Sequence, residues 1–205
     1  MKQYSTSGTL GDTYITCLKL KPIIESEGEV QVNHFTKHNM MYANISRIYQ
    51  ACFGDAIKIK FVLQRDAKHL RIHSDFEADD LPYDAFPEFE FANNEYYDYT
   101  AVCPRAGKEH ETWRSIPEEE LNDIFSGNEH CELVKDDGTY TLPEAMQMIK
   151  DAKSVYCYQG LMAYVALSMK RPTTVYIGPD HEVTAFRKRV CPEWIPYLAE
   201  RIRRV

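Results

Sequence analysis

The sequence predicts an α/β protein built from two Rossmann-like parallel-sheet halves facing a cleft, the N-terminal half reduced. Three observations carry that expectation. Short apolar strand patterns alternate with helical ones along most of the chain. Several strands run straight into a glycine-bearing loop and then a helix. The alternation lapses once, between Gln64 and Asp98, where Pro82 and Pro87 stand among acids and aromatics. That stretch is too aromatic for a disordered linker and reads as an ordered crossover on the domain surface. It divides the chain into an N-terminal half, 1–98, and a C-terminal half, 99–205.

In the first half, Lys2–Thr6 reads as a strand and Ser7–Asp12 as a turn. Thr13–Glu25 reads as a helix disturbed by Pro22. Val30–Phe35 alternates like a strand, Met40–Phe53 is an amphipathic helix closed by Gly54, and Ile57–Leu63 is a third strand. In the second half, Tyr99–Cys103 is a strand followed by the loop Pro104–Arg114. Ser115-Ile116-Pro117-Glu118 has the form of a capping box opening a helix to Gly127, and Thr141-Leu142-Pro143-Glu144 repeats that form. Strands are expected at Cys131–Val134, Ser154–Tyr158 and Thr173–Ile177, with a helix over Gly160–Met169. Pro192–Val205 places Ile195, Leu198 and Ile202 on one stripe and predicts a terminal amphipathic helix, packed on the N-terminal layer or across a homodimer.

Composition narrows the function classes. A formal net charge of -7 argues against a general nucleic-acid binder, although the C-terminal arginines leave room for a local basic patch. The 6 cysteines contain no CxxC pair and read mostly as buried reduced thiols, which suits a cytoplasmic protein. No basic-then-apolar leader opens the chain, and no apolar run approaches the roughly 20 residues of a membrane span. His34/His38 and His69/His73 have i, i+4 spacing but lack a carboxylate placed as third ligand, and Glu77-Ala78-Asp79-Asp80 reads as a solvated acidic run. Neither a metal nor a cofactor is expected.

Three strand-to-helix loops are the candidate chemistry. Gly8-Thr9-Leu10-Gly11-Asp12 lets the backbone approach a ligand at a helix start, and Asp12 either caps that helix or projects as a base. It lacks the third glycine of a dinucleotide fingerprint and the Gly-Lys-Ser/Thr of a P-loop. Arg105, Gly107, Lys108 and Arg114 form a cationic loop at the carboxyl end of a strand, a plausible phosphate site or a solvated basic loop. Gln159, Gly160, Leu161 and Met162 either offer backbone N–H groups to a diphosphate or serve tight helix–strand packing.

Together these loops resemble the heptosyltransferase-like glycosyltransferases of the two-domain Rossmann type, called GT-B. The resemblance runs through Gly11-Asp12 to Pro22, through Val102–Trp113, and most fully through Thr141–Glu144, Ile149–Val155, Gly160–Met162 and Pro172–Pro179. It implies metal-independent transfer of a sugar from a nucleotide-sugar donor to a hydroxyl acceptor. Asp12 would be the general base and Lys108 a phosphate ligand, while Gly160, Leu161 and Met162 would offer backbone donors. This sequence departs from the family at Tyr158-Gln159-Gly160, where family members carry Asp-Ser/Thr-Gly, and at Ala163-Tyr164, where they carry a histidine. A non-catalytic nucleotide- or sugar-binding or assembly protein on the same fold is therefore the alternative.

Overall fold

The four N-terminal strands are all parallel and stand in the order β3-β2-β1-β4, with a helix returning the chain from the first strand to the second and another from the second to the third. They are β1 (Lys2–Ser7), β2 (Val30–Phe35), β3 (Ile57–Val62) and β4 (Leu70–Arg71). The computed structural model describes residues 1–37, 41–64, 68–74, 97–105, 115–134, 140–178 and 180–202, with the side chains of 97 and 180–182 left aside. The chain divides into two units, Met1–Phe89 and Glu90–Val205.

In the first unit, α1 (Leu10–Glu27) and α2 (Tyr42–Phe53) pack on each other. Successive steps β1 to β2 to β3 move in one direction, so right-handed crossovers place both helices on one sheet face. The strands read out that asymmetry. Val30, Val32 and His34 point to the helices and are buried. Rows across the opposite face are polar: Gln3, Gln31 and Lys58 in one, Ser5, Asn33 and Lys60 in the next. Gln31 Nε2 donates to Asn33 Oδ1 at 3.1 Å, and Asn33 Nδ2 to Gln3 Oε1 at 3.4 Å, so the amides satisfy one another. The expectation of about three N-terminal strands is corrected by β4, whose two residues pair with Tyr4 and Ser5. A two-residue strand carries no periodicity of its own; its pairing is set by β1. Beyond β4, the acidic aromatic segment, including Glu77–Asp80, lies outside the described residues, as does His38.

The second unit holds five parallel strands in the order β6-β5-β7-β8-β9. They are β5 (Tyr97–Cys103), β6 (Cys131–Leu133), β7 (Ala152–Tyr158), β8 (Thr173–Ile177) and β9 (Leu198–Ile202). Between them lie α3 (Glu118–Gly127), α4 (Leu142–Asp151), α5 (Leu161–Ser168) and α6 (Asp180–Arg187). On the α3 side, Val102, Ile116, Ile124, Tyr158 and Tyr176 form a core cluster, and Tyr176 donates to Glu120 Oε2 of α3 at 2.9 Å. α5 is buried from Ala163 to Ser168, consistent with its unbroken apolar composition. The expected α/β class, with two Rossmann-like parallel-sheet halves, is the fold of this chain.

Two expected elements take a different form. The predicted terminal helix over 192–205 is absent. Pro192–Tyr197 is a 3-10 segment and Leu198–Ile202 is strand β9, paired residue by residue with β8. Pro196 is the physical reason, since it removes a helical donor and its ring clashes one turn back. Trp194, fully buried, then fixes the turn from which the strand departs. The stripe read as packing on the N-terminal layer or across a homodimer is therefore not carried by a helix. Ser115 likewise does not cap α3, which opens at Glu118 with Pro117 as an N-cap that makes no side-chain bond. Pro117 pushes Ile116 out of the helical region, so the helix cannot start earlier; Ser115 instead bridges antiparallel to Arg105. The second box forms as expected: Thr141 N and Oγ1 both donate to Glu144 Oε2, at 2.6 and 2.7 Å.

Candidate functional site

In the second unit the strand order reverses between β5 and β7. The connection from β5 leads to β6 on one side, and that from β7 leads to β8 on the other. Ligands of open α/β sheets bind outside the carboxyl ends of strands at such a point. Cys103 and Cys157 are register partners there, so the loops opening at Pro104 and Gln159 leave neighbouring strand ends. Two of the three sequence-predicted loops thus start side by side. The feet of the first loop are tied, with Ile116 N donating to Pro104 O at 2.8 Å and Arg105 bridging Ser115. Arg105 is exposed. Gly107, Lys108 and Arg114, and Trp113 beside them, lie outside the described residues.

The second loop is sharper. Gln159 N donates to Tyr176 O at 2.9 Å, which carries the β7–β8 ladder one residue past the end of β7. Gly160 then takes φ 150°, a conformation that favours glycine, and α5 begins. Leu161 and Met162 fall in its first turn, where helical N–H groups have no partner within the helix. Gln159 is buried. Burial raises the thiol pKa of Cys103 and of Cys157, and each sulfur stays a neutral packing group beneath the loops.

The third loop belongs to the first unit and leaves β1, where the order of that sheet reverses. Gly8 has φ 141°, and a Cβ there would stand 2.3 Å from Asp12 Cβ, so only glycine fits. Thr9 is the N-cap of α1, and Asp12, on the first turn, accepts from Thr9 N at 2.9 Å and Thr9 Oγ1 at 3.1 Å through Oδ2. Gly11 is buried against the sheet side of that turn. The carboxylate thus caps the helix, and it is half-exposed.

Beneath this turn lies an arrangement that sequence reasoning missed. His34 of β2 is fully buried, with Nε2 3.2 Å from Gly8 O and Nδ1 3.0 Å from the hydroxyl of Tyr49 on α2. Desolvation holds its pKa below 6.5, opposed by the bond to Gly8 and by the charge of Asp12. Tyr49 is buried too, and its hydroxyl pKa is pushed up, first by desolvation and then by Cys17 and Cys52. The signal was available in the alternation of β2: His34 shares parity with Val30 and Val32, so it had to face the helices. With both nitrogens engaged, His34 is no metal ligand, and the described residues contain no cluster of three or more metal-binding side chains. Lys19 of α1 is also fully buried, and its Nζ donates to His73 O at 2.7 Å. Among the described residues no helix is long and apolar enough to cross a membrane.

No protein-family model and no curated protein matches the sequence. Among solved structures, the chain is similar to the E. coli heptosyltransferase WaaC with ADP-2-deoxy-2-fluoro heptose, at 11% identity and TM-score 0.48, over 88% of this chain and 90% of that one. It is similar to the same E. coli enzyme with ADP, at 10% identity and TM-score 0.45, over 98% and 93%. A third likeness is to the dodecameric iron-containing heptosyltransferase TibC in complex with ADP-D-beta-D-heptose, at 11% identity and TM-score 0.43, over 85% and 57%. At these identities and scores, the chemistry has to be argued from this chain's own residues.

Proposed function

We propose that the chain is a glycosyltransferase that takes a nucleotide-sugar donor at the carboxyl edge of β5 and β7. The observation that carries the reading is the strand order of the second unit, which sets the Pro104 and Gln159 loops side by side at its point of reversal. There the first turn of α5 offers N–H groups and a positive dipole end to a diphosphate. Arg105 stands at the foot of the neighbouring loop, and Lys108 and Arg114 of that loop add charge in the same role. In the transfer step the acceptor oxygen bonds to the anomeric carbon while the bond from that carbon to the diphosphate oxygen breaks. The diphosphate leaves with the electron pair, and the acceptor proton passes to a base, the role given to Asp12. No metal is required by this scheme, because fixed donors stabilise the departing charge.

One observation favours a second reading, a binding protein without turnover. Asp12 Oδ2 already accepts two hydrogen bonds from Thr9, and Tyr158-Gln159 at the end of β7 offers no carboxylate. Titration calorimetry with nucleoside diphosphates and nucleotide sugars, followed by a donor-turnover assay, separates the two. Binding that Gly160→Val abolishes, with turnover that Asp12→Asn lowers by about 10²-fold or more, supports transfer with Asp12 as base. Binding without turnover supports the second reading. If no nucleotide binds, both are wrong.

A further inference from the structure

Gly8 is held from β2 on two sides. Its N–H donates to Phe35 O at 3.2 Å, and its carbonyl faces His34 Nε2. A carbonyl oxygen only accepts, so Nε2 must carry the hydrogen; the opposite tautomer would set a lone pair against the carbonyl. With Nε2 protonated and the ring neutral, Nδ1 is an acceptor, and the Tyr49 hydroxyl is the group that fills it. The ring is enclosed by aromatic neighbours. It meets Tyr49 and Phe61 edge-on, at centroid distances of 5.9 and 6.0 Å, and Tyr42 stacks on Phe61 at 4.1 Å. Asp12 lies directly on Gly8, its Cβ, Cγ and Oδ2 all within 2.6 Å of where a Gly8 side chain would begin.

A continuous series of contacts therefore runs from α2 through Tyr49, His34 and Gly8 to the Asp12 carboxylate. We infer that His34 and Tyr49 are positioning residues for Asp12, acting as a neutral donor pair that fixes the Gly8 turn and with it the carboxylate. The inference rests on the reading of Asp12 as the base for its consequence in turnover, but the clamp itself can be tested without any activity.

Long-range ¹⁵N–¹H correlation spectra of the intact chain at neutral pH should show His34 as the Nε2–H tautomer. Amide exchange supplies the second reading. Gly8 N–H is bonded to Phe35 O and Thr9 N–H to Asp12 Oδ2, so both report on the turn. His34→Leu should speed exchange at these two amides by about tenfold, the loss of one buried hydrogen bond, and His34→Gln, which keeps an N–H donor, should restore most of the protection. Tyr49→Phe, which removes only a hydroxyl, should raise the same two rates about threefold and so keeps the test open if the Leu variant fails to fold. A Nδ1–H tautomer, or wild-type exchange in both the Leu and Phe variants, overturns the inference. Where turnover is measurable, His34→Leu should lower kcat with the donor KM unchanged, and His34→Gln should recover it. Absence of turnover in the wild type would refute the transferase reading while leaving the tautomer and exchange results to decide the clamp.

Discussion

At the scale of single residues, the Gly8 turn is the most constrained position described. Gly8→Ala combines a left-handed backbone with a Cβ inside the van der Waals shell of Asp12, and should cost about 2–4 kcal/mol in urea unfolding. His34 adds a pH dependence whose sign follows from its lowered pKa. Below the ordinary histidine value of 6.5 the unfolded chain takes up a proton that the native chain refuses. The contribution is complete above that value and is lost as pH falls toward the folded pKa. Denaturation midpoints between pH 5 and 8 should show this slope in the wild type and lack it in His34→Gln. The position of His34 follows from strand parity, but its partners do not, because Tyr49 and Gly8 meet it only after α2 has folded back on the sheet.

At the scale of elements, the regular strands and helices follow from their periodicity, and the misses at the terminal segment and at β4 share one cause. Ile195, Leu198 and Ile202 fit a helical stripe, yet Pro196 interrupts the hydrogen-bond ladder and β8 offers an open edge. Local pattern cannot weigh a partner strand that lies elsewhere in the chain. The same holds for β4, two residues whose only regularity is the pairing with β1. The loop positions at Gly8, Arg105 and Gly160 were legible from glycines, cations and strand ends. That two of them share one point of reversal required the strand order, which no local pattern contains. The Thr141 box shows the opposite case, a signature that folds as written. The bonds from the Thr141 side chain and backbone lower the pKa of Glu144, so its stabilisation is present above the usual carboxylate range and lost as pH falls through the folded value. Acid unfolding followed by circular dichroism should therefore be shallower in Glu144→Gln than in the wild type.

At the scale of the whole molecule, each sheet has its own core. Trp194 belongs to the second, where it is fully buried between α6 and β9 in sequence and its backbone N–H donates to Cys191 O at 2.9 Å. Trp194→Ala should cost the second unit about 3–5 kcal/mol, the usual loss for a buried aromatic. Hydrogen exchange should then rise across β7, β8 and β9 while β1, β2 and β3 keep their protection. Equal loss of protection in both sheets would show that the two cores unfold as one.

The one-sided N-terminal sheet carries a last consequence, for the accuracy of folding. Parallel strands that are apolar on both faces can slip along one another with little penalty. Here the two faces differ, with Val30 and Val32 buried while Lys58 and Lys60 stay in water, Lys58 beside Glu29 at 3.3 Å. A slip of one residue in β3 would drive both lysines under α1 and α2, at several kcal/mol for each unpaired charge. The polar face thus acts as a proofreading device: it singles out the one register in which the strand ends, and the glycine turn that leaves β1, stand where they do.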